Sequence, residues 1–443
     1  MKPATRHSVS MFVVPTALGL GALASSHCAR AEDYTATPLG SLGGTASHAA
    51  AVNNVGQVVG SATTAGGLYH AFLYVNGSMT DLGTLPGGAN SGAEDINLRG
   101  QVVGESEFGP DSTLHATRWY GASAIDIGQL AGRWSTAHAI NDDGVIVGTL
   151  SSGDTYPVAG RWDGSTVTNL AMPHTSFSHA LGINESGQVV GQQTAAESYA
   201  YLWNGTVATL LPNTGSDSIS DAVAINRSGQ IAGWARALSS PDNGIHAILW
   251  SGNGAPRVAT DLGTLGGLHS VALGVNGAAQ VVGYAETPGR VRHAALWSDG
   301  KVLDLNTALS AADATYLTLA VASAINDHGW IVVDAEDSRT GRMSGAYLLT
   351  PAPGHCRRDH GGPGAHRGNR GDSEAHSRDA AGGHDGAPEA EAGMTREDVR
   401  RSAWGAPLSV NLALHDATTS ELWWYHGGRF VLFTDGCVKS VHR

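Results

Sequence analysis

Four histidines, His70, His115, His246 and His293, recur at one equivalent position and are the first residues whose type suggests chemistry. Imidazole nitrogens ligate zinc at about 2.0–2.1 Å, but equivalent positions on separate repeats lie too far apart to share one ion. The sequence therefore assigns them to a repeated structural hydrogen bond, as buried polar groups require. Asn141-Asp142-Asp143-Gly144 resembles the opening of a calcium loop. It lacks the later carboxylate, and its siblings Asn184-Glu185-Ser186-Gly187 and Asn226-Arg227-Ser228-Gly229 hold the same place without the acids, so it reads as a turn. The pairs Glu105/Glu107 and Glu336/Asp337 fall where loops are expected to follow second strands. Paired carboxylates can run glycoside chemistry at a suitable separation, which sequence does not give. Toward the C-terminus His355, Cys356, His360, His366, His376 and His384 share no zinc-finger spacing, and Arg370-Gly371-Asp372 reads as a chance tripeptide. A nucleophile elbow, a phosphate loop, a His-Glu-x-x-His helix and a Ser-x-Asp-x-Gly box are all absent. This inventory assigns no catalytic residue, no cofactor-binding residue and no metal ligand.

The elements around these residues repeat. A segment of form Ser-x-Ala, then Ile/Val-Asn, a two-residue gap, Gly and an apolar run closing with Gly recurs at Asn53, Asn97, Asn141, Asn184, Asn226, Asn276 and Asn326. The steps are 44, 44, 43, 42, 50 and 50 residues, a period typical of β-propeller blades. Within a unit, Ser47 to Val52 alternates in strand fashion with small side chains suited to the crowded axis. Asn53-x-x-Gly56 supplies a hairpin turn. A third strand carries Ala71-Phe72-Leu73-Tyr74 or its Trp-ending relatives, whose Trp119, Trp162, Trp203, Trp250 and Trp297 are sized for the wedge between blades. An outermost strand closes with Asp81-Leu82-Gly83-Thr84-Leu85 or Asp261-Leu262-Gly263-Thr264-Leu265. The Ala of Ser-x-Ala holds in all units, whereas its Ser is replaced by Ala320 in the seventh. The array starts on an outermost-strand remnant, Leu39 to Gly44, and its seventh unit stops after Ala346-Tyr347-Leu348-Leu349 without one. The two ends complete each other, so the N-terminal strand is expected to close the ring and remove its open edge.

Composition agrees with an all-β chain. Of 443 residues 42% are hydrophobic, 15% are charged and 60 are Gly, which suits short strands and tight turns. Net charge is −13, and between residues 32 and 353 there are 27 acidic against 12 basic side chains. Such a surface repels phosphate backbones and anionic headgroups, so nucleic acid and membrane surfaces are not expected partners. Lys2 and Arg6, the apolar run from Met11 to Ala24 and Ala29-Arg30-Ala31 match a secretory signal cleaved before Glu32. The apolar run is too short for a membrane span, and His27 before Cys28 does not fit a lipid-anchor site. The repeats themselves contain no cysteine, so packing rather than disulfides must hold them.

His70-Ala71-Phe72-Leu73-Tyr74, Asp261-Leu262-Gly263-Thr264-Leu265-Gly266-Gly267 and Ile183-Asn184-Glu185-Ser186-Gly187-Gln188-Val189-Val190-Gly191 resemble the HAF repeat of bacterial extracellular proteins. The resemblance spans roughly Leu39 to Thr350. It implies an extracellular repeat protein and carries over no catalytic residue, since the family has no established reaction. Two units depart from the pattern: Asn276-Gly277-Ala278-Ala279 has Ala for the turn Gly, and Val332-Val333-Asp334 has Asp read at the closing Gly.

The expected organisation is a signal peptide at 1–31, a seven-bladed β-propeller at 32–353, a disordered Gly/His/Arg-rich linker at 354–403 and an aromatic segment with a β-hairpin at 404–443. A shifted or fused reading frame accounts for the tail equally well. The functional expectation is a monomeric secreted or periplasmic scaffold binding a glycan or protein partner through second-to-third-strand and inter-blade loops, which vary in length. The alternative is a carbohydrate-active hydrolase or lyase using loop carboxylates.

Overall fold

The computed structural model describes residues 34–352, apart from short segments at 122, 129–133, 152–155, 171–176, 195–196, 214–218, 237–243, 253–256 and 339–341, together with four strands between Ser409 and His442. The expected signal peptide and the expected linker lie outside the described residues. Six repeats each form a four-stranded antiparallel sheet in sequence order, and the seventh supplies three strands of a seventh such sheet. Neighbouring innermost strands touch all the way round, including the first (Gly43–Val52) against the last (Leu317–Ile325), so the sheets form a closed seven-bladed propeller. Closure uses the N-terminal strand as expected, although the strand is Tyr34–Pro38, just before the Leu39–Gly44 stretch that signals it. It pairs antiparallel with Tyr347–Pro351 as the outermost strand of blade 7, and Leu39 N–H continues the seam by donating to Ala346 O at 2.9 Å.

The repeat-invariant residues turn out to be stitches between blades. Every repeat Asn is buried. Its side-chain Oδ1 accepts the main-chain N–H four residues on, closing its own turn. Its Nδ2 donates to the main-chain oxygen of the next repeat Asn at 2.8–3.2 Å, and Asn326 completes the circuit onto Asn53 O. Asp lacks the donor for this dual role, and Gln is a methylene too long. The Ser of each Ser-x-Ala accepts from the third-strand Ala N–H of the preceding blade, as in Ala116 N to Ser135 Oγ at 3.0 Å. The same bond joins every pair of adjacent blades except 6 and 7, where Ala320 stands for Ser. The five tryptophans are buried, and Trp162, Trp203 and Trp250 donate back to the outer end of the preceding blade.

The two irregular repeats are accommodated differently. Ala279 takes the turn conformation at φ 60°, where its siblings are Gly. A Cβ in the left-handed region costs about 1–2 kcal/mol, partly offset by Gly's extra freedom in the unfolded chain. Ala279→Gly should therefore raise stability by about 1 kcal/mol in a denaturant titration, and a destabilised variant would count against the strain. In blade 7 the position facing the inner-strand Ala, Ala322, is Val333 and not Asp334, so Val replaces the closing Gly and the sequence alignment slips by one residue. Asp334 sits one residue further, opposite Val321.

The C-terminal segment goes beyond the expected hairpin. Ser409–His415, Thr418–Trp424, Phe430–Thr434 and Cys437–His442 pair in order as a four-stranded antiparallel sheet. Two-stranded hairpins are marginal in water, and the additional strands supply the pairing that a lone hairpin lacks. Among the described residues no helix is long and apolar enough to cross a membrane.

Candidate functional site: the axial layer

The sequence-singled histidines are structural. His70, His115, His246 and His293 each place Nδ1 2.7–2.9 Å from the outer-strand aspartate of their own blade, Asp81, Asp126, Asp261 and Asp304. In all four blades the same Asp also accepts a main-chain N–H two residues on, that of Gly83, Gly128, Gly263 or Asn306. At Asp261 burial pushes the carboxyl up, but the bonds from His246 and Gly263 N outweigh it and hold the group below its ordinary value. The partner Asp was legible in the sequence: blades that lack the His, such as blade 4 with Tyr199, also lack the Asp, with Leu210 in its place.

The carboxylate pairs do not survive as pairs. Both lie within second strands, Gln101–Phe108 and Ile331–Asp337, rather than on loops after them. Glu107 accepts the N–H groups of Ala89 and Asn90 and the Asn90 amide, which hold its pKa down and make it a clasp on the inter-blade bridge. Glu336 is exposed, whereas adjacent Asp337 is buried and accepts from Tyr347 OH at 3.1 Å, because successive strand residues point to opposite faces.

Two positions vary from repeat to repeat inside an otherwise constant frame, the middle residue of Ser-x-Ala and the residue after the closing Gly. They face each other across the first two strands of every blade. The pairs run His48 with Ser61, Gly92 with Glu105, Thr136 with Thr149, His179 with Gln192, Asp221 with Trp234, Val271 with Tyr284 and Val321 with Asp334. Blades 7, 1, 2, 4 and 5 each place a His, Asp or Glu in this layer, blade 3 two threonines, and blade 6 a Val and a Tyr. His48 Nδ1 bonds Asp334 of the preceding blade. That bond raises the His48 pKa, burial opposes it, and the charges of Asp334 and Glu94 add to the rise. His179 reaches Asp221 at 3.3 Å, and His138 lies between the hydroxyls of Thr136 and Thr149 at 3.0 and 3.2 Å. Burial, with the neighbouring His179, pushes His138 down to about 4, so it is neutral at pH 7.

Burial pushes the carboxyl of Glu105 up to about 8, with Glu94 adding to the rise. Glu94 itself is raised by burial and drawn back by His48. Asp95 rises to about 7 through burial, against the N–H groups of Ile140 and Ile96 that bond it. Because the folded state holds the Glu105 proton more tightly than the unfolded chain, its stabilisation is complete below pH about 4.5 and lost as pH rises through about 8. A series of melting temperatures from pH 5 to 8.5 should fall in the native protein and fall less steeply in Glu105→Gln, where Asp95 carries the remaining slope. Parallel curves would exclude Glu105 as the source.

Sequence reasoning singled out Glu105 but not the rest of this layer because it followed the invariant residues, whereas the usable signal was variation at fixed repeat positions. Among the described residues no group of three or more His, Cys, Asp or Glu is placed to hold a metal ion. Sequence comparison matches no family model and no curated protein. Among solved structures the chain is similar to YCF48 bound to D1 peptide, at 11% identity and TM-score 0.41, covering 74% of this chain and 99% of that one. It is similar to a Mycobacterium tuberculosis puromycin-hydrolyzing peptidase at 12% identity and TM-score 0.42, covering 71% and 56%. A third similarity is to TolB from Acinetobacter baumannii, at 11% identity and TM-score 0.35, covering 66% and 63%.

Proposed function

We propose that this protein is a secreted or periplasmic propeller scaffold that binds a glycan or protein partner without transforming it. The observation that carries the reading is the axial layer, in which side chains differ at every blade while the surrounding frame repeats. Variable groups on a rigid frame are where recognition is built. Trp234 and Tyr284 occupy equivalent positions on adjacent blades, with Arg292 over one face of the Tyr284 ring at 4.8 Å, and half-buried aromatic rings are groups on which sugars stack. His48, Glu105 and Asp221 supply donors and acceptors in the same layer, and Glu94 lies two residues beyond it. The resemblance to HAF-repeat extracellular proteins and the signal-like residues 1–31 support export. N-terminal sequencing of exported protein should begin at Glu32.

One observation favours a second reading, a carbohydrate-active hydrolase or lyase. Burial and the Glu94 charge push the Glu105 carboxyl up to about 8, and a carboxyl that holds its proton at neutral pH can serve as the acid that glycoside cleavage needs. A glycan array on the purified protein, followed by a reducing-sugar assay on any ligand found, separates the two. Binding without release of sugar, weakened in Trp234→Ala, is the expected result. Sugar release abolished in both Glu105→Gln and Glu94→Gln would establish the enzyme instead.

A further inference from the structure

We propose that the axial mouth on the Asn-turn face is a binding site for a primary alkylammonium. Its aliphatic tail enters a collar of β-branched side chains and its charged head rests on the carboxylate rim. This mouth lies on the same axis at the turn end of the innermost strands, four residues on from the variable layer, and its test does not depend on the partner proposed above.

A cavity of about 190 Å³ opens there on the axis and is lined by all seven blades. Its wall is the Val or Ile that precedes each ring Asn, from Val52 round to Ile325, five of the seven being buried. The space equals about six water volumes, enough for a short alkyl chain. At five of the seven repeats the Asn amide nitrogen beside this wall offers a ligand nothing, because Nδ2 donates both to the next blade and to the Gln four residues on. A polar uncharged ligand would lose its hydration there without replacement, which disfavours sugars and alcohols.

The rim is formed by the residue after each Asn and is unbalanced in charge. Asp142, Glu185 and Asp327 line it, against Arg227 as the only basic residue of the lining. Asp327 spends both oxygens, on Gly277 N and Asn54 Nδ2, each at 2.8 Å. Asp142 gives one oxygen to Leu98 N at 2.8 Å, and Glu185 gives one to Asp142 N at 3.0 Å. Each retains a second oxygen, and the two stand on adjacent blades. Arg99 engages Asp143, outside the lining, at 3.9 Å and leaves the rim pair alone. Burial raises the Glu185 carboxyl, and the Asp142 and Asp143 charges add to the rise against Arg227, so an arriving cation relieves a repulsion already present. An aliphatic wall below two partly unspent carboxylates matches a cationic head on an apolar tail.

The test is a calorimetric or NMR titration of the full chain at low salt with n-hexylammonium, and with hexanol and hexanoate as controls. Hexylammonium should bind in the millimolar range, ahead of hexanol, with hexanoate excluded. Glu185→Gln and Asp142→Asn keep the acceptor for the main-chain N–H and should each weaken binding about tenfold or more, in line with the loss of one charged hydrogen bond. Arg227 makes no side-chain bond at the rim, and Arg227→Ala should tighten binding, a readout that does not depend on how the carboxylate variants fold. Equal affinity for hexanol, no binding up to the solubility limit, or an unchanged or weaker Arg227→Ala complex would each overturn the proposal.

Discussion

Removal of residues 34–39 is expected to lower the melting temperature by on the order of 10 °C, the largest effect of any short deletion in the ring. The strand pairs along its whole length with Tyr347–Pro351. Tyr34 and Leu39 are 9% and 4% exposed, one in the core with Leu305, Leu309 and Leu349 and the other against Phe72 and Leu348. Each such side chain contributes about 1.5–3 kcal/mol on burial, and the deletion also bares the edge of Arg342–Pro351. Adding a synthetic peptide of residues 34–42 in excess should restore part of the loss, since the edge it fills remains intact. A melting transition unmoved by the deletion would show that the ring does not depend on this strand.

Gly148→Ala is expected to destabilise by more than about 4 kcal/mol, although it adds one methyl group. A Cβ at Gly148 would lie 2.0 Å from Thr136 O and 2.9 Å from Ala137 Cα, both main-chain atoms that cannot move without breaking the inner strand pairing. Gly60, Gly104, Gly191, Gly233 and Gly283 meet the same obstruction. Blade 7 gives the control. There a second register shift, between Leu319 and Val321, accompanies Val333 at the corresponding position, and Val333 is fully buried. Val333→Ala should cost only what a buried Val loses in volume, about 1–2 kcal/mol. Comparable losses at Gly148 and Val333 in urea denaturation would refute the steric account.

What the sequence determined by itself is the periodic part of the molecule. Strand alternation, Asn-x-x-Gly turns and a period of 42 to 50 residues depend on local chemistry, so blade number and ring closure could be read from Asn53 to Asn326 and from the unmatched ends. The small axial residues and the wedge tryptophans followed from the same logic. What only the tertiary structure decided is everything that passes between blades. That Asn53 bonds Asn97 O, that Ser135 receives Ala116 N, and that His48 meets Asp334 across 286 residues are consequences of how sheets stack. A repeat pattern specifies each blade's own turns, but not which atoms its neighbour presents. The one-residue slip at Val333 has the same origin, because a bulge changes the pairing of a strand without a fixed signature in its residues. The pKa values of Glu105, Asp95 and His138 could not be read either: burial against the ring sets them, and burial belongs to the assembled propeller rather than to any one repeat.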